Sequence, residues 1–424
     1  MAAIEDIQLR IDLEIVINYL AFMKENARWI VGGFFLCFCS AFGQTFFISL
    51  FGGEIRAEYN LTNGEFGSLY MVATLFSAIT LTYIGKVVDI ITVSRSLLWV
   101  IPALAFATTM MYWSNAIILL FLTIYFLRLF GQGMMTHISI TAMGKWYSGH
   151  RGRVVSIVTL GHQFSEAVLP YIFIGIIGLV GWRTSWLFAA LFLILVALPI
   201  IFILMRVERV PANTDKKAKR LPAQDWKRGE VLRDSVFWLA MLGILASPAI
   251  GTTVFFHQDY LVELRGWEEH VFASAFILMA ITNVFSTMIC GQLVDRFGSP
   301  SLLPFVLLPL ALGCFTLAYI PSQIGIFIMM TFVGLSYGGA SVVFGAIWPE
   351  VYGIKHLGGV RSLTMALMVF SSALGPGLSG ILIDFNVSYL TQFAYMGLYC
   401  IAASIIMVFV SQKYKSRALV EGAN

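Results

Sequence analysis

Twelve windows of about 20 residues or more carry few charges, several of them none, and this spacing constrains the fold of the chain more than anything else in it. They fall at about 29 to 51, 63 to 85, 95 to 113, 116 to 144, 153 to 178 and 183 to 205. A second set lies at about 236 to 260, 267 to 291, 300 to 320, 322 to 348, 357 to 383 and 388 to 411. A helix needs roughly 20 apolar residues to cross a bilayer, so these windows read as spanning helices. The remaining composition agrees. The 424 residues are 59% hydrophobic and only 12% charged, whereas soluble domains run at about 45–50% apolar and about 25% charged. Too little charge is present to cover a water-soluble particle, which excludes a soluble enzyme. The expected fold is an all-α polytopic membrane protein of 12 transmembrane helices in two six-helix bundles.

Between the two sets of six lies one long polar loop, residues 206–234, with nine Lys or Arg and five Asp or Glu. The expected organisation is a terminal segment 1–28, a bundle 29–205, the basic loop 206–234, a second bundle 235–411 and a tail 412–424. Lys and Arg near helix ends resist translocation. With both termini cytoplasmic, 23 of the 27 basic residues fall on the cytoplasmic side. Arg56, Arg183 and Arg265 face outward, and Arg128 alone stays within the membrane. Seven of the ten tryptophans fall at predicted helix ends, where interfacial anchoring favours them. Residues 1–28 are acidic where a cleaved signal would be basic, and initiation at Met23 is an alternative that peptides from residues 1–22 would exclude. The five cysteines lie in apolar stretches without C-x-x-C spacing and read as packing residues.

Transporters are often built from duplicated halves, and this chain repeats at an offset of 206. Gly85-Lys86-Val87-Val88-Asp89 after the second window matches Gly291-Gln292-Leu293-Val294-Asp295 after the eighth. At the same offset Phe126 meets Phe332, Gly133 meets Gly339, Ser165 meets Ser371 and Pro170 meets Pro376. With its twelve spans and basic central loop, the whole chain resembles the major facilitator superfamily, whose loop motif G-x-x-x-D-R-x-G is matched by Gly291 through Asp295, Arg296 and Gly298. The first copy has Ile90 and Thr92 at the usual Arg and second Gly, with Arg95 nearby as a basic residue. Gly181-Trp182-Arg183, and Glu350-Val351-Tyr352-Gly353 with Gly375-Pro376, further resemble the monocarboxylate and oxalate/formate carriers. The resemblance implies a gating latch at Gly85, Asp89, Arg95, Gly291, Asp295 and Arg296. Physically, a carboxylate there can bond the N–H groups at a neighbouring helix start or pair with an arginine.

A charge near the bilayer centre costs at least roughly 2.5–3.5 kcal/mol on insertion scales. Arg128 and Glu166 both sit near the middle of their windows, on consecutive antiparallel helices. The expectation is that they pair, with Arg128 binding an anion or gating and Glu166 as counter-ion and proton carrier; a permanent structural ion pair is the plainer reading. His162 and Gln163 share the face of Glu166, with His162 as a proton relay or a histidine bonded to its neighbour. His137, on the far side of its helix from Arg128, reads as packing. Gln44 in window 1, Thr253 and His257 in window 7, Asn283 in window 8 and Tyr337 in window 10 are candidates to line a central cavity, although Ser and Thr in membranes often bond their own helix. No metal site is expected, because His162 and Glu166 have no third ligand.

The chain has no G-x-x-x-x-G-K-[ST], H-E-x-x-H or G-x-G-x-x-G, so no cofactor or ATP hydrolysis is expected. The expected function is secondary active transport, by alternating access, of a small solute, most simply an organic anion such as a monocarboxylate, with proton symport or exchange. Two rivals are a carrier exporting amphipathic compounds and a transporter-like receptor without turnover. Expected partners are the solute, a proton and lipid, with no nucleic acid, in a monomer of the inner or plasma membrane.

Overall fold

The computed structural model describes residues 22–85, 87–147, 151–209, 225–353 and 356–420. Eleven of its helices are long and apolar enough to cross a membrane, and a bent pair makes a twelfth span. We number the spans α1 (Phe22–Gly43 with Thr45–Tyr59), α2 (Asn63–Ile84), α3 (Val93–Trp113), α4 (Ile117–Trp146), α5 (Val154–Val180) and α6 (Trp182–Met205). The second half comprises α7 (Ser235–Phe256), α8 (His270–Val294), α9 (Ser299–Tyr319), α10 (Ile324–Tyr352), α11 (Gly359–Asp384) and α12 (Tyr389–Arg417). Helix prevails because a backbone in hydrocarbon must satisfy its own N–H and C=O groups. The described residues contain no strand. The expected all-helical, twelve-span fold is therefore present, and the helix of the first span is described from Phe22 onward.

The sequence offset reappears as geometry. Ser49 Oγ donates to the Phe255 carbonyl at 2.6 Å, and Asp259 Oδ2 accepts from the Gly53 N–H at 2.7 Å; both pairs are 206 residues apart. Residues that touch their own counterparts lie beside a two-fold axis. Asn60 and Gly266, also separated by the repeat length, both have positive φ, at 53° and 62°. They end the last turn of α1 and of the helix Gln258–Arg265 that continues α7. Pro170 and Pro376 occupy matching positions inside α5 and α11.

The halves meet along α2 with α11 and α5 with α8. Small residues make this close approach possible. A Cβ on Gly67 would lie 2.7 Å from the Pro376 carbonyl, and one on Gly377 would lie 2.9 Å from Met71 Sδ. Five hydrogen bonds between described residues of the two halves lie at the end remote from the central loop, here called the far end. Gln258 Nε2 donates to the Phe46 carbonyl at 3.2 Å and to Ser49 Oγ at 3.0 Å. Asp384 Oδ2 accepts from the Gly64 N–H at 2.9 Å, at the start of α2. Phe256 stacks on Phe66 with centroids 4.9 Å apart.

At the opposite end, arginines fasten the loop-side helix ends within each half. Arg209 bonds Asn26 and the Trp146 carbonyl and stacks on Tyr147. In the second half Arg417 grips Asp234 with two bonds, of 2.6 and 2.9 Å, and Tyr352 Oη donates to the same carboxylate at 2.8 Å. Burial alone would push the Asp234 carboxyl up. Arg417, the Tyr352 hydroxyl and the Val236 N–H outweigh burial and hold it below its usual range.

Two tests follow from this packing. A Cβ on Gly131 would sit 2.7 Å from the Gly43 backbone, whereas Gly178 faces open space. Gly131→Ala should therefore lower thermal stability in detergent by an amount on the order of 1–3 kcal/mol, the cost of overpacking, and Gly178→Ala should be close to neutral. Because the folded Asp234 is held below its unfolded value, its stabilisation is present at neutral pH and lost on acidification below about pH 4. The melting temperature of the wild type should then fall towards that of Asp234→Asn.

Candidate functional site

The site forms around a break in α1. After a tight turn at Ser40–Gly43 the chain passes through Gln44 in an extended conformation, φ −82° and ψ 156°, and restarts as a helix at Thr45. The two parts meet at 45°. A broken helix leaves carbonyls without N–H partners at the end of its first part, and that end carries partial negative charge. Arg128 supplies both a donor and a positive charge. Its Nη1 bonds the Gly43 carbonyl at 3.1 Å and Thr45 Oγ1 at 3.3 Å. The guanidinium lies over the Tyr70 ring at 5.2 Å, and Tyr70 Oη bonds Thr45 Oγ1 at 2.7 Å.

Helix α4 adapts to this position by widening into a π-helical stretch, Leu127–Met135, where it crosses the break. Such stretches cluster at functional sites. Gly43 and Gly131 let the two backbones touch, since a Cβ on either would strike the other helix. Arg128 is 2% exposed, and its Nε has no partner.

Glu166 does not pair with Arg128. The ion pairs between described residues are Arg183 with Glu58, His270 with Glu268 and Arg417 with Asp234. Depth in the membrane can be counted along a sequence, but direction around the helix changes where α4 widens, and Arg128 turns to α1 instead. Glu166 is half-buried and lies within electrostatic reach of Tyr337, which belongs to the other half. One turn earlier His162 Nδ1 bonds Ser40 Oγ at 3.2 Å, while Ser40 donates to the Cys37 carbonyl at 2.7 Å. With the serine proton so committed, His162 Nδ1–H is the donor. Helices α1 and α5 run in the same direction, so with His162 level with Ser40, Glu166 is level with Gln44. Gln163 is half-buried, with Oε1 unpartnered. The break thus has the Arg128 guanidinium bonded on both sides of half-buried Gln44, and His162 bonded to Ser40 in the turn that precedes it.

The other expected residues divide. Tyr337 bonds the Ser247 carbonyl through its hydroxyl at 3.4 Å and packs on Gly251. Thr253 bonds its own helix at Ala249 and packs against Gly375. His257 is buried and bonds the Pro376 carbonyl at 3.0 Å, which ties α7 to α11. Asn283 lies in the tight crossing of α8 with α10, where Gly334 and Gly338 pack on its backbone. These three brace the second half.

At the loop motifs, the Gly85 carbonyl bonds His137 Nε2 at 3.1 Å, so His137 joins α4 to the end of α2. Gly291 faces open space. Arg95 is exposed, and Arg296 lies over Phe297 at 5.2 Å. The side chains of Asp89 and Asp295 lie outside the described ones. Among the described residues no group of three His, Cys, Asp or Glu could hold a metal.

Tyr70, Ser40, Asp259 and Asp384 were not expected at the site or at the far-end contacts. Tyr70 looks like any membrane aromatic, and the two aspartates sit at span ends where charge is ordinary. Only Gly43-Gln44-Thr45, a polar pair after a glycine inside an apolar window, hints at the break.

A polytopic helical bundle with an internal two-fold, and charged groups where its halves meet, defines a membrane carrier. The Major Facilitator Superfamily profile matches residues 33–340 and 266–423, and the chain belongs to that family. It is a multi-pass transporter of small solutes. No curated protein sequence matches it. Among solved structures it is similar to a bacterial homologue of the human lysosomal transporter Spinster, inward-facing and unoccupied. There the TM-score is 0.65 at 17% identity, over 93% of this chain and 97% of the other. A D-xylose–proton symporter gives 0.65 at 14% identity, over 91% and 97%. The nucleoside transporter NupG gives 0.64 at 12%, over 91% and 99%.

Removing the guanidinium fork tests this assembly. Arg128→Lys keeps the charge but cannot reproduce a planar donor set. It should lower the thermal stability of the first half and reduce transport, whereas His257→Gln should lower stability alone.

Proposed function

We propose that the protein is a secondary carrier that moves a small organic anion, of monocarboxylate type, by proton symport or exchange. One observation carries this reading. Arg128 is a buried guanidinium with no carboxylate partner and a free Nε. A buried cation satisfied only by neutral groups is electrostatically incomplete, and an anionic solute entering between the halves would complete it. The resemblance of Gly181-Trp182-Arg183 and of the Glu350–Pro376 region to monocarboxylate and oxalate/formate carriers supports the same class.

Glu166 is the proton carrier in this scheme. Its carboxyl has no hydrogen-bond partner among the described residues and lies within electrostatic reach of Tyr337 in the other half. Phe164 belongs to an aromatic cluster with Phe34 and Phe38. It lies about 200° around α5 from Glu166, which does not favour a site built for amphipathic compounds.

The charge distribution supports cytoplasmic termini in an inner or plasma membrane. With that orientation the hydrogen bonds at the far end join the two halves on the outer side. A single chain contains both halves, so a monomer suffices, and the Gly85 and Gly291 loops remain the proposed inner latch.

The test is uptake of labelled lactate, oxalate, alanine and glucose into proteoliposomes with and without an imposed pH gradient. Acids should accumulate, and Arg128→Gln should reduce uptake roughly tenfold or more, the scale of one lost charged hydrogen bond. Glu166→Gln should retain counterflow while losing its response to the gradient. Failure of both acids to move would overturn the anion reading, and binding without flux would indicate a receptor.

A further inference from the structure

The outer part of α1, Thr45–Tyr59, belongs to the first half by chain but is bonded to the second. Every hydrogen bond from α1 to the second half is made beyond the break: Phe46 and Ser49 with Gln258, Ser49 with Phe255, and Gly53 with Asp259. Phe46 also packs on Phe276, with centroids 5.8 Å apart. The inner part of α1 is held by its own half. Gly33 and Cys37 bond Ser139 of α4, and Ser40 bonds His162 of α5. Gln44 joins the two parts, and Arg128 bonds to both sides of it, at Gly43 and at Thr45.

We propose that Arg128 is the pin of a hinge at Gln44, and that the outer part of α1 is a gate whose closure depends on that pin. An anion that captures the guanidinium withdraws its bonds from Gly43 and Thr45. The break then loses its cap, and the outer part is free to leave the second half. Tyr70 reinforces the link. It bonds Thr45 and lies under the guanidinium, and its ring packs on Phe256 with centroids 4.6 Å apart. The same arginine therefore touches both the hinge and an aromatic contact that seals the far end. Asp259 on Gly53 and Asp384 on Gly64 are the catches. Each is a second-half carboxylate bonded to a first-half backbone N–H, at Gly53 where the outer part of α1 resumes α-helix as Gly52–Tyr59 after a 3-10 turn, and at Gly64 in the first turn of α2, where helix polarity favours negative charge. Solute capture and far-end opening become one event. The trigger rests on the anion reading above; the hinge itself does not.

The experiment is pulsed electron spin resonance between labels on Ala57→Cys and Leu264→Cys, two exposed far-end positions, with the five native cysteines replaced. The wild type without solute should give a short distance. Arg128→Gln and, separately, Thr45→Ala should raise the ratio of open to closed forms roughly three- to tenfold, the effect of one or two hydrogen bonds. Asp259→Ala should do the same. Combined with Thr45→Ala it should add less than the product of the single effects, because both act on one linkage. If Arg128→Gln does not fold, Thr45→Ala decides. An unchanged distance in Thr45→Ala, or strictly multiplicative effects in the double variant, would overturn the hinge. Lactate added to the wild type should lengthen the distance, and should have no further effect in Arg128→Gln. Opening in the variants without any response to lactate would support the hinge and overturn the anion as its trigger.

Discussion

The first half is organised around a cation placed at the end of a broken helix. Arg128 reaches α1 where Gly43 ends one helical segment and Thr45 begins the next. Each side compensates the other. The guanidinium would be expensive in hydrocarbon on its own, and so would carbonyls left bare in mid-membrane. Gly43 and Gly131 are small because the two backbones must meet for the bond to form. The widened turn of α4 follows from the same requirement, since it directs Arg128 to the break while both ends of the helix continue their course.

The far end depends on this arrangement. Segment Thr45–Tyr59 carries contacts that cross the two-fold axis, some between residues one repeat apart. The pairs are complementary: a hydroxyl against a carbonyl, and a glycine N–H against a carboxylate. His257, Thr253 and Asn283 brace the other half by bonding or packing on backbone, which is what most polar side chains do in a membrane.

Much of the architecture was legible. The twelve apolar windows and the repeat at 206 each correspond to something in the fold, because hydrophobicity and backbone satisfaction are enforced along the chain itself, while residues 210–224 of the basic loop lie outside the described residues. Arg128 and Glu166 stood out for the same reason, as charges where charge is costly. Their partners did not. Depth can be counted in residues, but the face of a helix cannot be followed through a bend or a widened turn. The expected pair between them gave way to Arg128 on α1 and Glu166 towards Tyr337.

Composition and spacing alone determined that this chain crosses a bilayer about a dozen times in two related halves, with a buried cation among its helices. Only the tertiary structure decided what that cation bonds, which polar residues bond or pack within their own half, and where the hydrogen bonds between described residues of the two halves lie. These depend on contacts between helices far apart in sequence, and on local departures from α-helical geometry at Gln44 and in α4 that carry almost no sequence signature. The bilayer dictates where a helix must be; packing alone sets which way its side chains turn.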